Sequence, residues 1–223
     1  MIEAERIVAG YGSPVAGPLD FSYPDGSCIM VTGRNGSGKT TLMKTLAGQI
    51  PPLSGSFRSG GPVVMVPTRI PKVKGFSVRE FILTGLGQGY GPFRKPGPEV
   101  LAAEEYAVRL LGLHDIESKD LGRISDGEFQ KACLAVALTR EAELLLLDEP
   151  TAFLDVEGRV AILRTLRDVT RKTGISVLFS SHELHESLSV VDRVLALTRD
   201  GRFLQGGPDD KFLVIESVFP NIF

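Results

Sequence analysis

The sequence predicts an α/β fold on a mainly parallel sheet covered on both faces, and three observations carry that expectation. Short apolar runs at 28–32, 63–66, 144–147 and 175–180 read as buried strands and are too brief for helices. Helix-forming stretches alternate with them, the order that places parallel strands under crossover helices. The run Leu144-Leu145-Leu146-Leu147 has no polar side at all, as a strand buried on both faces requires.

In chain order, 2–9 reads as a strand and 10–26 as a Gly/Pro-rich connection. The strand at 28–32 leads through a glycine loop into a helix over 41–47 that Gly48 ends. Residues 51–55 form a turn, and the strand at 63–66 stops at Pro67. From there to about Arg140 the texture is helical, with helices at 78–86, 99–111 and 128–138 and a long loop at 87–98. This middle stretch reads as an inserted lobe. After the leucine strand come a helix over 156–172, a strand at 175–180 and a short helix at 183–189. A hairpin of 194–198 with 202–205 then turns at Asp200-Gly201. The tail from 210 onward has too little pattern to assign.

Composition narrows the function classes. A net charge of −2 offers no broad basic surface for nucleic acid, and 43% hydrophobic with 23% charged residues is ordinary for a globular domain. No apolar run, 144–147 included, approaches the roughly 18 residues a spanning helix needs. The N-terminal stretch starts with acids and lacks the apolar region of a secretory signal. Cys28 and Cys133 sit among apolar residues and read as buried, reduced thiols. These features point to the cytoplasm and are compatible with docking on a membrane partner.

Gly33-Arg34-Asn35-Gly36-Ser37-Gly38-Lys39-Thr40 fits G-x-x-x-x-G-K-[ST], between a strand and a helix. Glycines let the backbone wrap a polyphosphate, its N–H groups turn inward, and the helix N-terminus adds partial positive charge. The loop residues Arg34, Asn35, Gly36, Ser37 and Gly38, with Thr41, are therefore expected to bind nucleotide. Lys39 reaches the β- and γ-phosphates, and the Thr40 hydroxyl ligates magnesium. The second motif is Asp148-Glu149-Pro150, at the C-terminal end of the leucine strand, where open α/β sheets bind ligands. Asp148 is expected to hold the magnesium and Glu149 to accept a proton from an attacking water.

With further motifs in fixed order, the chain resembles the ATP-binding subunit of an ABC transporter over nearly its full length. Tyr11, in Gly10-Tyr11-Gly12, matches the aromatic that stacks on adenine. Ile124-Ser125-Asp126-Gly127-Glu128 matches the family signature, Thr151-Ala152-Phe153-Leu154-Asp155 the D-loop, and Ser180-Ser181-His182 the switch histidine. The resemblance implies a P-loop NTPase, RecA-like core lobe from 1–67 and 141–223 with an N-terminal antiparallel β part, and a helical signature lobe over 68–140. It also implies that Ser125, Asp126, Gly127 and Glu128 grip ATP held by a second subunit, that Asp155 lies at the dimer interface, and that His182 senses the γ-phosphate. ATP and Mg2+ are the implied cofactors. The implied partners are a second ATP-binding subunit, identical or a paralogue, and transmembrane permease subunits at the inner face of the membrane. Local structure gives several of these residues a second reason to be there. Ser125 and Glu128 form a capping box for the following helix, Asp155 suits a helix cap, Tyr11 suits core packing, and His185 reads as a surface residue.

Three positions depart from the family pattern. Thr68 stands where a glutamine usually follows the strand that leads into the helical lobe. Asp126 replaces the first glycine of the signature and sets a carboxylate near an incoming triphosphate, which opposes closure unless Asp126 points away or pairs with a cation. Phe153 replaces a small residue in the D-loop. The stretches 125–131 and 148–155, with Phe76-Ser77-Val78-Arg79-Glu80-Phe81, are similar to ATPases of metal-chelate importers serving iron-siderophore, haem or cobalamin permeases. Two other readings stay open: an ATP-gated dimerising module with weak hydrolysis, and a soluble ABC ATPase outside transport.

Overall fold

The computed structural model describes residues 1–85, 97–198 and 200–220. Its first part runs β1 (Ile2–Gly10), β2 (Pro14–Tyr23), β3 (Cys28–Gly33), α1 (Lys39–Leu46), β4 (Ser54–Arg58) and β5 (Val63–Val66). Three helices follow, α2 (Val78–Leu83), α3 (Pro98–Leu111) and α4 (Asp126–Leu138). The chain then returns through β6 (Leu144–Leu147), α5 (Val156–Thr173), β7 (Ser176–Ser180), α6 (Leu184–Leu188), β8 (Arg193–Leu197), β9 (Phe203–Gly206) and α7 (Lys211–Val218).

The central sheet has the order β5-β6-β7-β3-β8-β9, parallel except for the β8–β9 hairpin. A second, antiparallel sheet has the order β2-β1-β4. Alternation along the central strands builds a core on each face. Leu145 and Leu147 of β6, with Cys28, Met30, Val177 and Phe179, face a cluster that includes α4 and α5. Leu144 and Leu146, with Ile29, Val31 and Leu178, face α1 and the antiparallel sheet. Each of these leucines is at most 1% exposed, so the leucine run is divided between the two faces by the two-residue period of a strand. At about 1.5–3 kcal/mol per buried aliphatic side chain, no polar substitute is tolerated there. Burial also pushes the Cys28 and Cys133 thiols up to about 12, so both stay protonated.

Four sequence expectations need correction. Residues 14–23 form a strand, not a connection: Ala16, Leu19, Phe21 and Tyr23 are buried against β1. Its prolines are accommodated because Pro14 opens the strand, and register shifts in the β1–β2 ladder absorb Gly17-Pro18. Ser54 and Gly55 belong to β4 and not to a turn; they add an edge to β1. Pro98 opens α3 at its first turn, where a missing N–H costs nothing; the rest of the loop expected at 87–98 lies mostly outside the described residues. The tail contains α7, packed by Ile215, Val214, Val218 and Phe219 on the core while Phe212 and Leu213 remain exposed. Its apolar residues cover several sides, which hid the helical period.

Candidate active site

β6, β7 and β3 are neighbours in the sheet, and their C-terminal ends deliver the predicted residues to one edge. Beyond β3 the loop 33–38 wraps back on itself, with Ser37 N–H donating to Arg34 O at 3.1 Å. Gly38 has a left-handed φ of 95°, and a Cβ there would lie 2.8 Å from Val15 Cγ1. Only glycine fits, because β2 presses on the loop at that point. The same contact sets the start of β2 against the loop; Tyr11, in the turn before β2, is 63% exposed. Arg34, Asn35 and Gly36 are exposed, and Ser37, Gly38 and Thr41 half-buried. Lys39 is buried and folds onto the loop, donating from Nζ to Gly33 O at 2.9 Å and Arg34 O at 3.2 Å. Burial holds its ammonium below the ordinary lysine range, opposed by the nearby Glu149 and Asp148 charges.

Asp148 is clasped on both oxygens. Thr40 Oγ1 donates to Oδ2 at 2.9 Å, and Ser180 Oγ donates to Oδ1 at 2.8 Å. The Ser180 hydroxyl also accepts the Glu149 N–H at 2.8 Å, so one buried serine orients two consecutive acidic residues. Glu149 itself has a left-handed φ of 50°. That conformation costs a non-glycine residue about 1–2 kcal/mol and turns the carboxylate off the strand line. There Oε1 lies 2.9 Å from His182 Nε2. The loop holding His182 is fixed from beneath: Thr32 Oγ1 donates to Ser181 O at 3.1 Å, and Ser187 Oγ donates to Ser181 Oγ at 3.0 Å. Thr68, on the segment after β5, takes no part in the hydrogen bonds around Asp148, which run through Thr40 and Ser180.

The 124–128 stretch lies at the start of α4. Ser125 and Glu128 form a complete capping box: Ser125 Oγ accepts from Glu128 N–H at 3.2 Å, and Ser125 N–H donates to Glu128 Oε2 at 2.7 Å. These bonds hold the Glu128 carboxyl below its usual range. A Cβ on Gly127 would meet nothing, so the backbone there is open. Asp126 is exposed and pairs with Lys72 Nζ at 2.7 Å. Asp155 caps α5 by accepting from Gly158 N–H at 2.8 Å. Phe153 has a φ of 68°, is 65% exposed, and lies under the Arg69 guanidinium at 5.1 Å. A cleft of about 520 Å³ separates the 67–72 segment from α4 and residues 152–154.

The sequence profile described as ABC transporter matches residues 17–152, more than half of the chain. The chain belongs to the ABC transporter family. It is 38% identical over 202 residues to a zinc import ATP-binding protein, ZnuC of Cereibacter sphaeroides, covering 89% of this chain and 79% of that protein. It is 25% identical over 236 residues to the achromobactin transport ATP-binding protein CbrD of Dickeya dadantii, covering 100% of this chain and 87% of that one. Among solved structures, a transporter assigned to the metal-chelate type, in an inward-facing conformation, superposes with a TM-score of 0.87 at 25% identity. That match covers 98% of this chain and 88% of that one. A nucleotide-free ATP-binding cassette superposes at 0.83, 20% identity, over 97% of this chain and 95% of that one, a likeness of fold. The protein is thus an ABC ATPase that binds ATP, with the α/β architecture of these cassettes.

Several residue roles in this ABC cassette are not legible in the sequence. Ser180 opens the recognised Ser180-Ser181-His182 with no role of its own assigned there, yet it ties Asp148 to Glu149. Arg159 donates to Leu154 O at 2.9 Å and pairs with Glu183 at 2.6 Å, joining the 151–155 stretch to the residue after His182. Lys72 and Arg69 carry no motif. Only the fold brings them to Asp126 and Phe153.

Proposed function

We propose that this ABC ATPase powers a membrane importer for a metal ion or metal chelate, by closing as a dimer on two ATP molecules and reopening on hydrolysis. The observation that carries the ATPase mechanism is the continuous set of bonds Thr40–Asp148–Ser180–Glu149–His182 at the mouth of the phosphate loop. Tyr11 stacks on adenine, the loop amides of 34–38 with Lys39 and Thr41 hold phosphate, and Lys39 exchanges its two loop carbonyls for the β- and γ-phosphates. Thr40 and Asp148 place two hard oxygens 2.9 Å apart beside that loop, which fits a Mg2+ that takes its remaining ligands from phosphate and water. Among the described residues no group of three or more His, Cys, Asp or Glu could hold a metal by itself. When bound, the ion supplies neutralisation of charge on the phosphates.

Glu149 polarises the attacking water. His182, in contact with Glu149, links arrival of the γ-phosphate to the position of that base. Ser125, Asp126, Gly127 and Glu128 face the triphosphate held by the second subunit, with Asp155 at the interface. The core lobe comprises 1–67 and 141–223, and the signature lobe 68–140. No helix among the described residues is long and apolar enough to cross a membrane, which suits a subunit seated on the cytoplasmic face of permease subunits. The relatives' names support import of zinc or achromobactin and broaden the cargo beyond iron-siderophore, haem or cobalamin.

The deciding experiment is Mg-ATP hydrolysis by the purified protein, titrated in protein concentration. A rate rising faster than linearly supports the composite dimer. ATP binding without turnover, even with permease, would replace it by the gated module. Cargo is tested separately by the zinc and iron content of cells lacking the gene; normal levels of both would remove the metal assignment.

A further inference from the structure

The carboxylate of Asp126 has a built-in counter-charge, delivered from outside α4. Lys72 Nζ lies 2.7 Å from Asp126 Oδ1, donates to Ile124 O at 3.0 Å and stands 5.4 Å from the centroid of the Phe129 ring. The lysine is mostly enclosed, at 26% side-chain exposure, while its partner is 63% exposed and reaches outward. Three contacts thus surround the first turn of α4. Stability of α4 does not explain them, because a cation at a helix N-terminus opposes the helix dipole, whereas Asp126 and Glu128 already complement it. Glu128 has its own partners, the Ser125 N–H and the charges of Lys119 and Lys131, so the ammonium of Lys72 serves Asp126.

The segment bearing Lys72 has little else to hold it. Residues 67–72 line the cleft of about 520 Å³, and Pro67 and Ile70 also line a second cavity of about 200 Å³ toward α2 and α4. Among the described residues, no main-chain group of 67–72 bonds to another main chain. Besides Ile70, which packs against the core, its ties are side-chain cations: Lys72 on the start of α4, and Arg69 on the Phe153 ring.

We propose that Lys72 is a positioning residue for the signature, neutralising Asp126 and fixing the 67–72 segment to α4 so that a neutral edge meets the partner's triphosphate. The proposal rests on the nucleotide-sandwich reading. In the separate subunit the pair is largely solvated and contributes little. On closure water leaves, and an unpaired Asp126 would repel the phosphates strongly.

The test compares wild type with Lys72→Met, Lys72→Arg, Asp126→Gly and the Lys72→Met/Asp126→Gly double variant, in hydrolysis against protein concentration at low and high salt. Lys72→Met keeps the apolar stem and should need roughly tenfold more protein for half-maximal rate. Fluorescent-ATP binding to its own phosphate loop should stay unchanged, which also reports folding. Added salt should narrow the deficit, Lys72→Arg should restore most of the rate, and the double variant should match Asp126→Gly alone. An unchanged Lys72→Met, or one equally impaired with and without Asp126, would overturn the proposal. A wild-type rate linear in protein concentration would instead overturn the dimer reading, and this inference with it.

Discussion

The edge of the parallel sheet and the first turn of α4, the two halves of the proposed site, are held by different means. At the sheet edge Asp148 is 7% exposed, Ser180 is fully buried, and both Asp148 oxygens are bonded to hydroxyls from neighbouring elements. At α4 the groups are local or exposed: a capping box within one turn, an open Gly127 backbone, and an ion pair over a cleft. The first half is preorganised by packing before ATP arrives. The second is held by charge and sequence-local bonds, which suits a surface completed by another molecule. Damage to the first should therefore appear as lost chemistry and stability, and damage to the second as lost association.

The largest effect expected is from Glu149→Gln. Turnover should fall about 10²–10⁴-fold, the range for a lost general base, while ATP stays bound; phosphate release beside fluorescent-ATP binding measures both, and retained turnover would remove Glu149 as base. Ser180→Ala attacks the same half without touching a carboxylate. It leaves the Glu149 N–H and Asp148 Oδ1 without their shared hydroxyl, so stability should drop by about 1–3 kcal/mol in a denaturant melt. Hydrolysis should fall with it; a variant as stable and active as wild type would show that packing alone positions the pair. Tyr11→Ala should raise the KM for ATP about fivefold and leave the melting temperature unchanged, since stacking on a base is worth about 1–3 kcal/mol and the ring is exposed.

The smallest effect concerns the helical lobe away from both halves. Glu104 is 1% exposed, pairs with Arg79 at 3.1 Å, and its Oε1 has no hydrogen-bond partner. Desolvation raises its pKa above the usual carboxylate range, only partly opposed by Arg79. A raised acid pKa means the folded state binds more protons, so stability falls as pH rises from the unfolded value through the folded one. Glu104→Met should thus raise the melting temperature by about 2–4 °C at pH 7. That gain should shrink as pH falls from the folded carboxylate value to the unfolded one; a pH-independent gain would assign it to packing instead.

Much of the sheet edge was legible because its residues sit in contiguous motifs. Glycines with Lys39 and Thr40 follow one strand, Asp148 and Glu149 end another, and His182 follows a third. β2, β4 and α7 were not legible, for particular reasons. The glycines and prolines of 10–26 signal turns, but the β1–β2 ladder absorbs them with register shifts. β4 is mostly exposed, so it lacks the apolar alternation that marks a strand, and α7 has apolar residues on more than one side.

By itself the sequence determined the elements whose signal is local. These are the leucine strand, the glycine loop that only small residues can turn, and the capping box at Ser125 and Glu128, since each depends on neighbours within a few positions. Tertiary structure alone decided which charges meet. Lys72 reaches Asp126, Arg159 reaches Glu183, and Ser180 reaches Asp148, because adjacent strands and an inserted lobe bring together side chains that chain spacing leaves unrelated. The unfavourable signature carboxylate is visible in the sequence, but its neutralisation is not: a charge is written in one residue, and its free energy depends on what the fold places beside it.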